Sequence, residues 1–150
     1  LNAPHDHPQG IGRQWYSLFP PDWSEVPSAV NSLRFRLKAM ATKKIPLERT
    51  VLLGFSQGGA MALATGCNLP LAGLIGCSAY PHPSLEFPKN SPPIFLTHGK
   101  NDDVVPIFAM ESIIQLKRNT EIETTTFNGG HEIPPILIPK ILEVIKSWLL

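Results

Sequence analysis

One stretch of the sequence decides the fold, TVLLGFSQGG at residues 50–59. Its first four residues form a short apolar run, which is typical of a buried strand in a parallel sheet. Residues 54–59 predict a tight turn, and the small residues at 60–66 predict a helix that packs closely on a sheet. The pattern G-x-S-x-G between a strand and a helix indicates a serine held on a sharp, exposed turn.

Ser56 is the residue that this turn would present, and chemistry explains the residues around it. A nucleophilic serine must stand clear of its neighbours on strained backbone, and side chains at Gly54 and Gly58 would crowd it. The start of the following helix favours developing negative charge. The backbone N–H of Gln57 is therefore a predicted donor to an oxyanion. The alternative is a glycine-rich turn that only tightens the junction between strand and helix.

An acid and a histidine follow two later predicted strands. Asp102 lies in the loop after the apolar strand at 94–97, and His131 follows the threonine-rich strand at 121–127. The order Ser56, Asp102, His131 along the chain is the order of the nucleophile, acid and base in the α/β-hydrolase architecture. We therefore predict that His131 accepts the serine proton. Asp102 would orient the imidazole and stabilise the imidazolium.

Each of these residues also has an ordinary interpretation. Asp102 and its neighbour Asp103 compete for the role of the acid, and either is also a typical loop or helix-cap residue. We favour Asp102. His131 follows two turn glycines, so it is alternatively a loop histidine. His98 ends a predicted strand, and we interpret it as structural rather than catalytic.

Strands and helices alternate along the rest of the chain. Hydrophobic spacing predicts helices over 25–42, 107–118 and 136–150 and a further strand over 71–77. This alternation indicates one α/β domain over residues 1–150, with a mainly parallel sheet and helices on both faces. Functional residues in such folds lie in the loops at the carboxyl ends of the strands.

The two ends of the chain differ in character. Residues 1–24 are rich in proline and aromatic residues, which predicts a long surface loop with an aromatic patch. The closing helix carries an apolar stripe, predicted to face the sheet. Its members are Ile138, Ile141, Leu142, Ile145, Trp148 and Leu149.

Composition excludes several classes of function. Hydrophobic residues make up 43% of the 150 residues and charged residues 17%, a balance that argues against disorder. Thirteen basic and twelve acidic residues leave a net charge of +1, so there is no basic excess to bind nucleic acid or an anionic membrane. No apolar run approaches the roughly 20 residues that a membrane span needs.

The cysteines and the clustered histidines give no sign of a metal site. Cys67 and Cys77 lie in apolar stretches, and we interpret them as small buried hydrophobic residues rather than as a disulfide. Free cysteines suit a reducing compartment, so a cytoplasmic location is expected. His5, Asp6 and His7 lie together in a loop without further ligands nearby in the sequence, so we predict no metal there.

Several stretches spread over nearly the whole chain match one known pattern. They are GFSQGG at 54–59, the His-Gly pair and VVP within 98–106, GHEI at 130–133, IPLER at 45–49, NAP at 2–4 and Trp15-Tyr16. Together they resemble the phospholipase/carboxylesterase family of α/β-hydrolases, which includes the acyl-protein thioesterases. The resemblance implies a serine hydrolase that cleaves carboxylic esters or thioesters through an acyl-enzyme, with a small-molecule acyl substrate and no cofactor.

The resemblance also bears on the choice of acid. The family's catalytic acid falls on Asp102, which stands three residues after the His-Gly pair at 98–99. The family commonly has proline at the next position, whereas this chain has Asp103. A second carboxylate therefore lies near the predicted site.

The resemblance further implies that this chain is the C-terminal portion of a longer domain. Family members have earlier strands and a His-Gly-rich loop that supplies a second oxyanion N–H, and no counterpart precedes Leu1. We therefore expect the strand before Ser56 to have an uncovered apolar edge, which a second copy would cover in a homo-oligomer. An inactive fragment that keeps the triad by descent is one alternative to an active hydrolase.

Four residues are candidates for lining an acyl pocket, namely Trp15, Tyr16, Trp23 and Ile133. The alternative for them is simple loop packing. A peptidase or a lactone hydrolase with the same triad is a second alternative function, because the choice of bond depends on pocket shape rather than on the triad.

Overall fold

The structure is a computed structural model that describes residues 1–116 and 120–150. Its strands are β1 (His5–Asp6), β2 (Arg13–Gln14), β3 (Val51–Phe55), β4 (Gly73–Cys77), β5 (Ile94–Gly99) and β6 (Ile122–Phe127). The last four form one parallel sheet in the order β3-β4-β5-β6. Chain order and sheet order therefore coincide, so the loops that follow β3, β4, β5 and β6 all emerge at the same edge.

Helices lie before β3, between β3 and β4, between β5 and β6, and after β6. They are α1 (Val26–Met40), α2 (Gln57–Gly66), α3 (Phe108–Gln115) and α4 (Ile138–Leu149), with 3-10 turns at Trp23–Glu25, Leu47–Arg49 and Pro135–Leu137. The predicted helix over 107–118 ends earlier than expected, at Gln115. Lys117 and Arg118, which that prediction included, lie outside the described residues.

Alternating side chains of the central strands build two cores. Leu74 and Leu96 pack into the larger cluster with α1, α2 and α3, whereas their neighbours Ile75 and Phe95 pack against α4 on the opposite face. Every residue of β4 and β5 is buried, as the apolar runs predicted. The helices therefore cover both faces of the sheet, and the predicted α/β architecture with a parallel sheet is confirmed.

The closing helix packs with part of the predicted stripe, since Ile141, Ile145 and Trp148 lie in the cluster against the sheet. Leu137, Ile141 and Val144 are buried against the sheet, whereas Ile138 is 45% and Leu142 is 49% exposed. Trp148 also packs here, because Gly73 has no side chain and a Cβ at that position would overlap the indole ring. The prediction was therefore wrong for Ile138 and Leu142.

Strand β3 lies at one end of the strand order. It pairs with β4, with Gly54 opposite Gly76, and within the described residues its other edge has no strand partner. Leu53 is 42% exposed, so the prediction of a fully buried strand was wrong for this strand. A groove of about 290 Å³ runs along β3, and Trp15, Leu52, Leu53, Gly58 and Ala62 are among its lining residues.

The segment before α1 is more ordered than a surface loop. β1 and β2 pair antiparallel with His5 opposite Gln14, and the Arg13 guanidinium binds the Asp6 carboxylate at 2.9 Å. Trp15 and Tyr16 are buried. The expectation of a solvent-facing loop over 1–24 is therefore corrected, because these aromatic side chains join the larger core cluster.

Two further sequence expectations can be compared with the structure. Cys67 and Cys77 are both free and buried, as predicted. Across residues 1–116 and 120–150, no helix has the length and apolar character needed to cross a bilayer.

Candidate active site

Ser56 occupies the turn between β3 and α2 in strained backbone. Its φ of 54° and ψ of −122° lie where L-residues rarely occur. Two hydrogen bonds hold the turn: the Ser56 N–H donates to the Cys77 carbonyl at 2.8 Å, and the Ala60 N–H donates to the Ser56 carbonyl at 3.0 Å. Strained residues persist only where their surroundings fix them, and they cluster at functional sites.

The glycines around Ser56 serve different purposes. A Cβ at Gly54 would overlap the Gly58 carbonyl, and a Cβ at Gly59 would approach the Ala79 Cβ to 2.8 Å. A Cβ at Gly58 would meet nothing within 4 Å. A side chain at Gly54 would thus overlap the first turn of α2, whereas the crowding expected at Gly58 is absent, because Gly58 opens on the groove beside β3.

His131 lies between Ser56 and Asp102. Its Nε2 is 3.0 Å from Ser56 Oγ, and its Nδ1 is 2.8 Å from Asp102 Oδ2. A carboxylate only accepts hydrogen bonds, so the proton belongs on Nδ1, and Nε2 is left to accept from the serine hydroxyl. The structure therefore brings together the three residues that the sequence singled out, in an arrangement suited to moving the serine proton.

Asp102 is held by the loop that follows β5. Its side chain is fully buried, and Oδ1 accepts the backbone N–H groups of Val104 at 3.0 Å and Val105 at 2.8 Å. Burial alone would raise the pKa of Asp102, but the hydrogen bonds from His131, Val105 and Val104 outweigh it and hold that pKa below its usual value. Asp102 is therefore an anion fixed against His131.

The neighbouring acid and histidine have other surroundings. Asp103 is exposed. His98 is buried, with Nε2 donating to the Val105 carbonyl at 2.7 Å and lying 3.5 Å from Asp102 Oδ2. His98 thus fastens the loop that carries Asp102, which agrees with its structural interpretation.

Backbone contacts join the loops after β5 and β6. The Lys100 N–H donates to the Phe127 carbonyl at 2.9 Å, and the Asn101 N–H donates to the Gly129 carbonyl at 3.0 Å. Gly99 allows this approach, because a Cβ there would overlap the carbonyls of Gly129 and Gly130. These contacts set the separation between Asp102 and His131.

Phe55 is a site residue that the sequence reasoning did not identify. Its ring packs on the His131 imidazole with centroids 4.7 Å apart, and the His131 side chain remains 17% exposed. Phe55 therefore covers one part of the base, and a small part of the base stays exposed. The signal in the sequence was the position of Phe55 directly before Ser56.

The predicted pocket-lining residues do not form one surface. Tyr16 is completely buried, so the prediction that it lines a pocket is corrected to core packing. Trp15 is 7% exposed and lines the groove beside β3, away from the other predicted residues. Trp23 is 40% exposed, and Ile133 is partly buried. They remain candidates for contacting an acyl group.

The buried Tyr16 belongs to an aromatic cluster with Trp23, Tyr80 and His82. The Tyr16 hydroxyl lies 2.6 Å from the Tyr80 hydroxyl and 2.7 Å from His82 Nε2. Burial raises the pKa of Tyr80 to about 12 and lowers the pKa of His82 to about 4, so both groups are neutral near pH 7. The sequence reasoning missed this cluster, although the position of Tyr80 and His82 directly after β4 was a signal.

The sequence neighbours His5, Asp6 and His7 lie in and directly after β1. Among residues 1–116 and 120–150, no group of three or more His, Cys, Asp or Glu side chains is placed to hold a metal ion. Asp6 instead binds Arg13.

Comparison with known proteins identifies the family. The model of the phospholipase/carboxylesterase family matches residues 2–149. The chain belongs to this family. Among curated proteins, acyl-protein thioesterase 1 of Saccharomyces cerevisiae is 35% identical over 99% of this chain and 74% of its own length. Acyl-protein thioesterase 1 of Emericella nidulans is 34% identical over 75% of this chain.

Solved structures agree with this membership of the phospholipase/carboxylesterase family. Arabidopsis thaliana SOBER1 matches with a TM-score of 0.81 and 25% identity, covering 99% of this chain and 81% of that one. Esterase PE8 matches with a TM-score of 0.78 and 27% identity, covering 99% and 76%. The match spans 52% of the Emericella relative's length, so this chain corresponds to about half of that protein.

Proposed function

We propose that this protein is a serine hydrolase that cleaves carboxylic esters or thioesters through an acyl-enzyme on Ser56. The observation that carries the proposal is the chain of two hydrogen bonds from Ser56 Oγ through His131 to Asp102, at 3.0 and 2.8 Å. A hydroxyl is a weak nucleophile until an adjacent base takes its proton, and this arrangement supplies that base.

The first half of the reaction forms the acyl-enzyme. Ser56 Oγ attacks the acyl carbon while His131 Nε2 takes the hydroxyl proton, and the carbonyl oxygen becomes an oxyanion. Gln57 begins α2, where the first N–H groups have no acceptor within the helix, so its N–H is available to the oxyanion. His131 then gives the proton to the departing alcohol or thiol, and the acyl group stays on Ser56.

The second half repeats these steps with water. His131 takes a proton from water, the hydroxide attacks the acyl carbon, and the collapse returns the proton to Ser56 Oγ as the acid leaves. Asp102 stays ionised throughout and stabilises the imidazolium. Each step uses the triad side chains, the Gln57 N–H and water.

The names of the relatives support the proposed substrate class. The curated relatives are named acyl-protein thioesterases, and one solved relative is named an esterase. Both names describe acyl transfer to water from an oxygen or sulfur leaving group, which the Ser56 chemistry accommodates. We propose in addition that residues 1–150 act as one domain, because both core clusters pack on the same sheet.

The test is labelling and turnover by the full-length protein. We expect it to hydrolyse p-nitrophenyl acetate and to react with a fluorophosphonate probe, and we expect Ser56→Ala to abolish both. Ser28→Ala, at an exposed position of α1, is the matched control and should change neither. Labelling that survives in Ser56→Ala would contradict the proposal, and a panel of ester, thioester, lactone and peptide substrates would define the bond that is cleaved.

A further inference from the structure

The side chain of Gln57 makes two hydrogen bonds that the proposed mechanism does not use. Its Oε1 accepts the Trp15 N–H at 2.8 Å, and its Nε2 donates to the Tyr16 carbonyl at 2.8 Å. The side chain is nearly buried. The residue directly after the nucleophile is therefore fastened to backbone 41 and 42 positions earlier in the chain.

These two bonds require an amide. The Trp15 N–H only donates and the Tyr16 carbonyl only accepts, so the partner must offer one acceptor and one donor side by side. Carboxylate lacks the donor, and a thioether such as methionine lacks the donor and is only a weak acceptor. The partners also allow only one orientation of the Gln57 amide. In the reverse orientation its NH₂ group would face the Trp15 N–H and its oxygen would face the Tyr16 carbonyl.

The segment to which Gln57 bonds, Trp15-Tyr16, is itself held by other contacts. Tyr16 has no exposed surface, and its hydroxyl bonds to Tyr80 and His82 in the loop after β4. The Trp15 ring lies in the larger core cluster. The Gln57 amide is therefore anchored to rigid structure rather than to a mobile loop.

We propose that the Gln57 side chain is a positioning residue that holds its own backbone N–H in line with the oxyanion. The backbone at Ser56, directly before this N–H, is strained, since Ser56 has a φ of 54°. The Ser56 N–H bond to Cys77 fixes the preceding peptide on the strand side, and the Ala60 N–H holds the Ser56 carbonyl. The Gln57 amide fastens the residue that carries the oxyanion donor from the helix side. Without the amide, the N–H would turn away from the oxyanion as the strain relaxes.

This inference rests on the proposed function, so the experiment starts from a full-length wild type shown to depend on Ser56. Gln57→Met keeps the length of the side chain and removes the paired hydrogen bonds. We expect kcat for p-nitrophenyl acetate to fall about 10- to 100-fold with KM changed less than about threefold, because a misplaced donor weakens the transition state. Titration with a fluorophosphonate corrects kcat for any unfolded protein.

A transition-state analogue separates positioning from mere folding. Trifluoromethyl ketones form a tetrahedral oxyanion on the serine, so their affinity for Gln57→Met should fall in step with kcat. Gln9→Met, at an exposed position, is the matched control and should keep both values. Two results for Gln57→Met would overturn the proposal. One is a kcat per titrated site and an inhibitor affinity equal to those of wild type, and the other is a rise in KM alone.

Gln57→Glu provides a second test if Gln57→Met does not fold. A protonated carboxyl offers the same donor and acceptor as the amide, whereas the carboxylate does not. Burial favours the neutral form, so the variant should approach wild-type kcat at pH 5.5 and fall further below it towards pH 8. Taking the ratio to wild type at each pH removes the pH dependence that the two proteins share, and a ratio that is flat across pH would overturn the proposal.

Discussion

Two histidines follow strands of the same parallel sheet and have opposite surroundings. His131, after β6, lies between the Asp102 carboxylate and the Ser56 hydroxyl, with part of its side chain exposed. His82, after β4, is buried, with Nε2 bonded to the Tyr16 hydroxyl and no partner for Nδ1 within the described residues. The difference lies at Nδ1. A carboxylate bonded to this nitrogen lets His131 act as a base, whereas His82 has no such partner in the described part of the chain and contributes packing.

The largest effect should separate these two histidines directly. We expect His131→Gln to lower kcat by about 10⁵- to 10⁶-fold, because a triad without its base loses almost all nucleophilic catalysis. His82→Gln should lower kcat by less than about tenfold, since His82 acts through packing. Initial rates with p-nitrophenyl acetate, corrected for folded protein by circular dichroism, compare the two. Similar losses of kcat in both variants would contradict the assignment of His131 as the base and His82 as a packing residue.

The next effect tests the carboxylate beside His131. Asp102→Asn should lower kcat about 10⁴-fold, because an amide can hold the imidazole in the wrong tautomer. Asp103→Asn is the matched control: Asp103 is exposed, and we expect a change of less than about threefold. A larger loss in Asp103→Asn than in Asp102→Asn would show that the acid is misassigned.

Acid should destabilise the protein through His82. Its folded pKa of about 4 lies below the unfolded value of about 6.5, so the unfolded state binds more protons between these values. Stability from this group is therefore complete above about pH 6.5 and is lost as the pH falls towards 4. The urea midpoint should fall more between pH 7 and pH 4.5 in wild type than in His82→Gln. Equal falls would mean that His82 is protonated without cost.

The smallest effect concerns the hydroxyls beside His82. Tyr80→Phe removes one hydrogen bond, and we expect the free energy of unfolding to fall by about 1 kcal/mol. Tyr16→Phe removes two and leaves His82 Nε2 buried without a partner, so it should cost more. Urea denaturation measures both. A larger loss in Tyr80→Phe would indicate that the bond from Tyr16 to His82 contributes little.

The two histidines also show what sequence can and cannot predict. Ser56, Asp102 and His131 were identifiable because parallel strands bring their following loops to one edge, whatever the side-chain packing. The bond between Tyr16 and His82 joins residues 66 positions apart, and no local pattern marks it. The burial of Trp15 and Tyr16 and the open space at Gly58 likewise depend on neighbours distant in the chain.

Boundaries and faces were predicted less well than element types. The closing helix was correctly expected, but its buried stripe follows Leu137, Ile141 and Val144, which leaves Ile138 and Leu142 exposed. The apolar residues of this helix occupy more of its circumference than the sheet can cover, so spacing alone does not choose among them. Packing of Trp148 over Gly73 fixes that choice.

The most direct measurement is the trapping of the acyl group. The full-length protein is mixed with p-nitrophenyl acetate, quenched in acid within the first turnovers, and mapped by peptide mass spectrometry. The account predicts one acetyl group on the peptide that contains Ser56, and none in Ser56→Ala. Two results would contradict an acyl-enzyme on this serine. One is turnover with the acetyl group on another residue, and the other is turnover without any adduct at Ser56 under conditions that trap an acyl-enzyme.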